Sequence, residues 1–251
     1  MKELTIFCVI VILIYLIYTF RYYIAWFFNL VKVTLKNKKK VKNLQKKGVK
    51  RRNLTNDEIE KYIKYSIEKL KESGINIKNG FVLRPELERS LRYSRFSEKY
   101  VLELLHDILD YMELDKNIVE LKINYISSKY NIDYAGAYYD TTNNTNIKQI
   151  IINIKNNMTM DTVISILAHE CTHYLLFNNN IKIEDRKKNE CLTDITTIVM
   201  GFGKFMKEGY KISNQVTYDT EFYINVNKER TGYLSYKDVE YAIKIRKKHL
   251  N

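Results

Sequence analysis

The sequence predicts an α+β domain behind an N-terminal transmembrane helix. Three observations carry this reading. Residues 118–126 (IVELKINYI), 132–139 (IDYAGAYY) and 147–155 (IKQIIINIK) alternate or run apolar, as strands do. On either side of them, apolar residues recur at helical spacing behind capping signals. At the start of the chain, Leu4 to Phe20 form 17 residues without a charge.

That first run spans roughly 25 Å as a helix, slightly short of a hydrocarbon core. It continues past Arg21 as YYIAWFFNLV. Arg21 can snorkel to the surface, and Tyr22, Tyr23 and Trp26 suit the interfacial belt. A cleaved signal peptide is the competing reading, but no small-residue cleavage site follows. Residues 1–31 are therefore expected to be an uncleaved, single-pass anchor. Residues 32–52 form a basic linker with 11 Lys/Arg and no acid. Positive charge stays on the cytoplasmic side, which predicts a cell-membrane protein whose domain faces the cytoplasm. The same basic residues attract anionic lipid head groups.

The charge is unevenly placed. Of the net +13, residues 1–52 carry +12, from 13 Lys/Arg and one acid. Residues 53–251 carry 29 Lys/Arg against 28 acids. A nucleic-acid-binding domain would hold its basic patch on the folded part, so no nucleic-acid partner is expected. Three cysteines (Cys8, Cys171 and Cys191) make no disulfide framework. Cys171 and Cys191 read as packed thiols.

The folded part, residues 53–251, reads as mostly helical. Thr55 and Glu58 form a capping box that opens a helix to about Ser73, with Gly74 as its stop. Pro85 suits the first position of a short helix over 85–93. Ser97 starts another through about Met112, carrying His106. The three strands follow, the last two joined by a polar hairpin loop. Residues 159–178 then show a helical stripe of Val163, Ile164, Leu167, Cys171 and Leu175, with Thr159 or Asp161 as cap. A further helix begins near Glu190, in NECLTDITTIVMGFGKF. Gly232 precedes a last helix, capped by Ser235, through about His249.

The 159–178 helix contains His169-Glu170-Cys171-Thr172-His173. In this H-E-x-x-H word the two histidines project from one helical face, where their ring nitrogens can bind one Zn²⁺ at about 2.0–2.1 Å. Glu170 can reach a metal-bound water without being a ligand. A catalytic zinc takes a third protein ligand and leaves its fourth position open. Glu190 is the natural third ligand. Asp194, four residues on, shares its face and can accept the other ring N–H of a ligand histidine. Thr197 and Gly201 extend that face with small residues, predicting close approach to the metal helix. The competing reading is two core histidines bonded to carbonyls, beside a solvated carboxylate pair at a helix start.

His169, Glu170 and His173, followed by Glu190 and Asp194, resemble the H-E-x-x-H plus E-x-x-x-D pattern of the gluzincin group of zinc metallopeptidases. The resemblance covers about residues 147–205. It implies a zincin-like α+β fold with a small β-sheet above the metal helix, and hydrolysis of peptide bonds by a zinc-bound water. It also implies an edge strand that pairs with extended substrate backbone. The chain departs from larger members in its short insert between the two helices.

Taken together, these residues predict a membrane-anchored zinc metallopeptidase acting on a peptide or protein. Glu170 is the general base, and His169, His173 and Glu190 hold the metal. An oxyanion needs a donor, for which Tyr233, Tyr210, Arg230 and His249 are candidates and Tyr233 the first choice. Two alternatives remain: a non-catalytic membrane-anchored scaffold or binding protein with a zincin-like fold, and a basic membrane-tethered module recruiting nucleic acid or acidic partners. Glu170 speaks against the first, because a structural metal site has no use for a base. The charge balance after residue 52 speaks against the second. The topology is directly testable. Protease added to intact cells or spheroplasts should leave the domain undigested. Digestion from outside, or a mature chain beginning beyond Phe20, overturns the anchor and its orientation.

Overall fold

The computed structural model describes residues 54–127, 135–140, 147–156, 158–210, 217–218, 224–225 and 233–250. The expected anchor (1–31), basic linker (32–52), hairpin loop (141–146), Arg230 and Gly232 lie outside the described residues, as does the Tyr210 side chain. Among the described residues, no helix is long and apolar enough to cross a membrane. Two compact units emerge. The described part of the smaller one (1–50 with 216–226) is a pair of two-residue antiparallel strands, Thr217–Tyr218 and Ile224–Asn225. Everything below concerns the larger unit, 51–215 with 227–251.

Helix α1 (Asn56–Glu72) begins at the expected capping box. Thr55 Oγ1 accepts from the Glu58 N–H at 3.2 Å, and the Glu58 carboxylate accepts from the Thr55 N–H at 2.9 Å. Ile59, Ile63, Ile67 and Leu70 make its buried stripe, and Gly74, at φ +73°, lets the chain leave. Helix α2 (Pro85–Ser94) has Pro85 at its first position, where the missing N–H costs nothing. Helix α3 (Glu98–Tyr111) buries Val101, Leu104, Leu105, Ile108 and Leu109.

Three strands then form one mixed sheet in the order β1–β3–β2. Strand β1 (Val119–Ile126) runs parallel to β3 (Lys148–Lys155), and β2 (Gly136–Asp140) runs antiparallel to it. The second strand is shorter than expected and starts at Gly136. Central β3 is buried along most of its length. Ile150, Ile152 and Ile154 enter the core, each worth about 1.5–3 kcal/mol of burial. Its polar residues are answered across the ladder: Lys148 pairs with Asp140, and Asn153 Oδ1 accepts from Asn124 Nδ2 at 2.9 Å. Strand β2 ends the sheet among the described residues.

Helix α4 (Met160–Asn178) follows β3 directly, capped by Thr159, whose Oγ1 accepts from the Thr162 N–H at 3.2 Å. The apolar stripe expected here becomes something stronger. Residues 162–172 are buried on every side, because β2, β3, α3 and two later helices all pack on this one helix. Those later helices are α5 (Arg186–Thr197), capped by Asp185, and α6 (Gly203–Tyr210). A π-helical turn, Ile198–Phe202, joins them. The last helix, α7 (Tyr236–Leu250), starts at Ser235 as expected, with Ser235 and Asp238 forming a second capping box.

The expected role of Gly201 is corrected. It does not face the metal helix; it breaks the helix at φ +100° and meets the loop before α2. A Cβ there would lie 2.7 Å from Gly80 Cα and 2.7 Å from the Tyr111 hydroxyl. Close approach to α4 comes instead from Thr197, whose hydroxyl bonds Thr172 Oγ1 at 2.9 Å, and from Gly209, whose Cβ would meet Ser165 Oγ at 2.8 Å. The π turn is anchored by Arg246 of α7, which donates to the Val199 and Lys78 carbonyls. Gly201→Ala therefore suffers both a left-handed backbone and a backbone clash. A loss of about 1–3 kcal/mol is expected, read from the urea midpoint, with metal binding retained.

Candidate metal centre

The site forms where α4 and α5 lie side by side. One face of α4 presents His169 and His173, four residues apart. Facing α5 presents Glu190, Thr193 and Asp194. Among the described residues, His169, His173 and Glu190 are the group whose ligand atoms converge closely enough to hold a metal ion.

Their spacing is informative. His169 Nε2 lies 3.0 Å from His173 Nε2 and 3.4 Å from Glu190 Oε2, while His173 Nε2 lies 3.2 Å from the same Glu190 oxygen. Ligands at about 2.0–2.1 Å from a tetrahedral ion sit roughly 3.3 Å apart. The three atoms thus form one face of such a tetrahedron.

The proton positions sharpen this. His169 Nδ1 faces Asp194 Oδ1 at 2.9 Å, and a carboxylate there can only accept, so Nδ1 carries the hydrogen. Thr193 Oγ1 donates to the Asn189 carbonyl at 3.0 Å and faces His173 Nδ1 at 3.4 Å. It is therefore placed to accept a weak bond from the Nδ1–H. Both Nε2 atoms of the neutral rings then turn lone pairs toward each other and toward a carboxylate oxygen. Three acceptors at 3.0–3.4 Å repel unless a cation lies among them.

Without a metal, a proton is the available cation. Burial opposes charge on His169, yet its hydrogen bonds to Asp194 and Glu190 outweigh burial and hold its pKa well above 6.5. Burial likewise works against a charged Glu190, but the two histidines overcome it and hold that carboxyl well below its ordinary range. The signs give the metal-free protein a window. The His169 contribution is complete below its unfolded pKa of 6.5 and is lost as pH rises through the raised value. The Glu190 contribution is present above 4.5 and is lost as pH falls through the lowered value.

Asp194 joins three parts of the chain. It is fully buried, and its second oxygen accepts from the backbone N–H groups of Tyr233 and Leu234 at 2.7 and 3.0 Å. The start of the C-terminal segment is thereby held against the metal face. The Tyr233 ring lies nearly parallel to His169, 6.3 Å between centroids, and remains 39 % exposed. Burial raises the Tyr233 phenol above its ordinary value, so it stays protonated and able to donate. His249 goes elsewhere, with its ring beside Glu60 of α1.

Glu170 lies outside the ligand triangle, with its carboxylate against strand β2. It is 5 % exposed, and burial raises its carboxyl above the ordinary carboxylate value. Its Oε1 lies 2.6 Å from the place a Cβ on Gly136 of β2 would take. Cys171 and Cys191 are both buried thiols outside any disulfide, as expected of packed cysteines, and burial pushes the Cys171 thiol far up. Sequence reasoning missed Thr193 and Gly136. Thr193 has no signature of its own, being one more residue of the Glu190 face. Gly136 did carry a signal, because a glycine inside a strand marks close approach by another group.

No family model, no curated protein and no solved structure matches this chain. The arrangement itself supports binding of one metal ion by His169, His173 and Glu190. Two outcomes follow. Because metal displaces the proton on His169, affinity should weaken up to about tenfold for each pH unit of acidification below that raised pKa, measured by chelator competition. Asp194→Ala should weaken metal affinity about 10–100-fold, because nothing then fixes the His169 tautomer. Unchanged affinity in that variant would remove Asp194 from the site.

Proposed function

We propose that this chain is a membrane-anchored, zinc-dependent metallopeptidase of the gluzincin type. The observation that carries the reading is Glu170: a buried carboxyl next to the ligand triangle that does not itself join it. A purely structural site closes its fourth position with another ligand. Two imidazoles and one carboxylate suit zinc, and when bound it would polarise a carbonyl and make a coordinated water acidic.

The chain's own residues then have distinct tasks. Glu170, with its pKa raised by burial, takes a proton from the attacking water and delivers it to the leaving amine nitrogen. Asp194 and Thr193 hold the two histidines in the tautomer that leaves Nε2 free. The Tyr233 hydroxyl donates to the oxygen of the substrate carbonyl as charge develops there. Strand β2 pairs with an extended substrate backbone. Its support is its place at the end of the described sheet, beside Glu170. The anchor at 1–31, the basic linker at 32–52 and a cytoplasmic domain belong to the same proposal and rest on the charge pattern.

The test uses the full-length chain in detergent, against a peptide library, with zinc and after chelation. Wild type should cleave with zinc and lose activity without it. Glu170→Gln should keep one metal per chain and lose about 10²–10⁴ in kcat, because an amide cannot accept the proton. Turnover within tenfold of wild type would remove Glu170 as the base.

A further inference from the structure

Strand β2 carries a glycine where every ordinary strand residue would bring a Cβ. Gly136 has no left-handed backbone, so its conformation is open to any L residue. What excludes a side chain is space. A Cβ built there would lie 2.6 Å from Glu170 Oε1, 3.0 Å from Glu170 Cγ and 2.7 Å from Ile166 Cγ2. Carbon–oxygen contacts normally settle at about 3.3–3.6 Å, so a methyl group would displace the carboxylate by roughly 0.7–1.0 Å.

We propose that Gly136 is a positioning residue: its missing side chain is the slot that seats the Glu170 carboxylate between the strand edge and the metal face. The proposal rests on the function assigned to Glu170 above and extends it to the sheet. Residue 136 pairs with Ile152 of buried β3, so the strand cannot retreat without breaking the ladder. Ile166 and Glu170 are one turn apart on α4, which is packed on all sides and cannot retreat either. The displacement therefore falls on the end of the flexible Glu170 side chain. A misplacement of about 1 Å in a reacting group costs on the order of 10²-fold in rate.

The same substitution also crowds Ile166, which offers a way to separate positioning from packing. Ile166→Ala removes the Cγ2 that a new methyl would meet and leaves Glu170 untouched. Four full-length variants are compared with wild type: Gly136→Ala, Ile166→Ala, Gly136→Ala/Ile166→Ala and Glu170→Gln. Each is loaded with Co²⁺, whose visible absorption reports coordination. Two readouts follow: kcat on a cleaved peptide, and the dissociation constant of acetohydroxamic acid from the band it shifts. Acetohydroxamic acid surrenders a proton when it chelates a metal, so it binds more weakly where no carboxylate is placed to accept it.

Gly136→Ala should keep the Co²⁺ band, lose about 10²-fold in kcat with little change in KM, and weaken acetohydroxamate in the same direction as Glu170→Gln. The double variant should regain the melting temperature of Ile166→Ala while kcat and acetohydroxamate binding stay impaired. Gly136→Ala or the double variant behaving like its Gly136 parent in both readouts overturns the proposal. So does failure of both to take up Co²⁺, because Gly136 is then a packing residue. If wild type cleaves no peptide yet acetohydroxamate binding depends on both Glu170 and Gly136, the peptidase reading fails and the positioning role stands.

Discussion

The Asp194 carboxylate is the constraint on which the rest of the site depends. It is wholly buried, and it accepts from a ring N–H of α4 and from two backbone N–H groups at the start of the C-terminal segment. A buried charge is tolerated only when its lone pairs are answered, and removing one partner of such a pair costs about 3–5 kcal/mol. The protein meets that demand by drawing three distant stretches of chain together. The same bonds fix the His169 tautomer, turn its Nε2 toward the ligand triangle and bring the Tyr233 ring alongside. Stability and the geometry of the candidate metal site are thus coupled at one carboxylate.

The second constraint is steric. Helix α4 is buried on all faces from 162 to 172, with His173 partly buried beyond it, so His169 and Glu170 have little freedom to adjust. Three of its neighbours approach it through a small or hydroxyl residue. Thr197 meets Thr172, Gly209 of α6 meets Ser165, and Gly136 of β2 meets Glu170. Interiors packed at crystal density transmit a displacement instead of absorbing it. Rigidity of this kind is what a metal site needs, since three ligand atoms must stay within a few tenths of an ångström of tetrahedral spacing.

Placement of the two carboxylates beside the histidines separates their roles. Glu190 enters the ligand triangle, and two imidazoles hold it ionised despite partial burial. Glu170 sits outside the triangle, and burial pushes its proton affinity up. One carboxyl is thereby suited to bind a cation, and the other holds a proton more readily than an ordinary carboxyl. That division is the pattern expected when neighbouring acids are assigned opposite tasks by their surroundings.

The sequence by itself determined the local elements and singled out the three side chains that could hold a metal ion. Capping at Thr55 and Ser235, Pro85 at a helix start, and the four-residue spacings His169–His173 and Glu190–Asp194 are all relations within one or two helical turns, where chain geometry fixes who faces whom. The Asp194–His169 contact was legible too, because two such faces carrying complementary groups have few ways to meet. Contacts between elements with no shared period were decided only by tertiary structure. The helix carrying the metal motif proved buried all round, since its exposure depends on how many neighbours arrive. Gly201 turned away from the metal helix because a π turn breaks the α5 register before that position, and no spacing rule foresees the break. Gly136 met Glu170 across 33 intervening positions, through a strand order of β1–β3–β2 that side-chain alternation alone does not specify. Thr193 gained its place beside His173 only when the two helices docked. Periodicity records which face a residue occupies, and packing alone decides what stands opposite it.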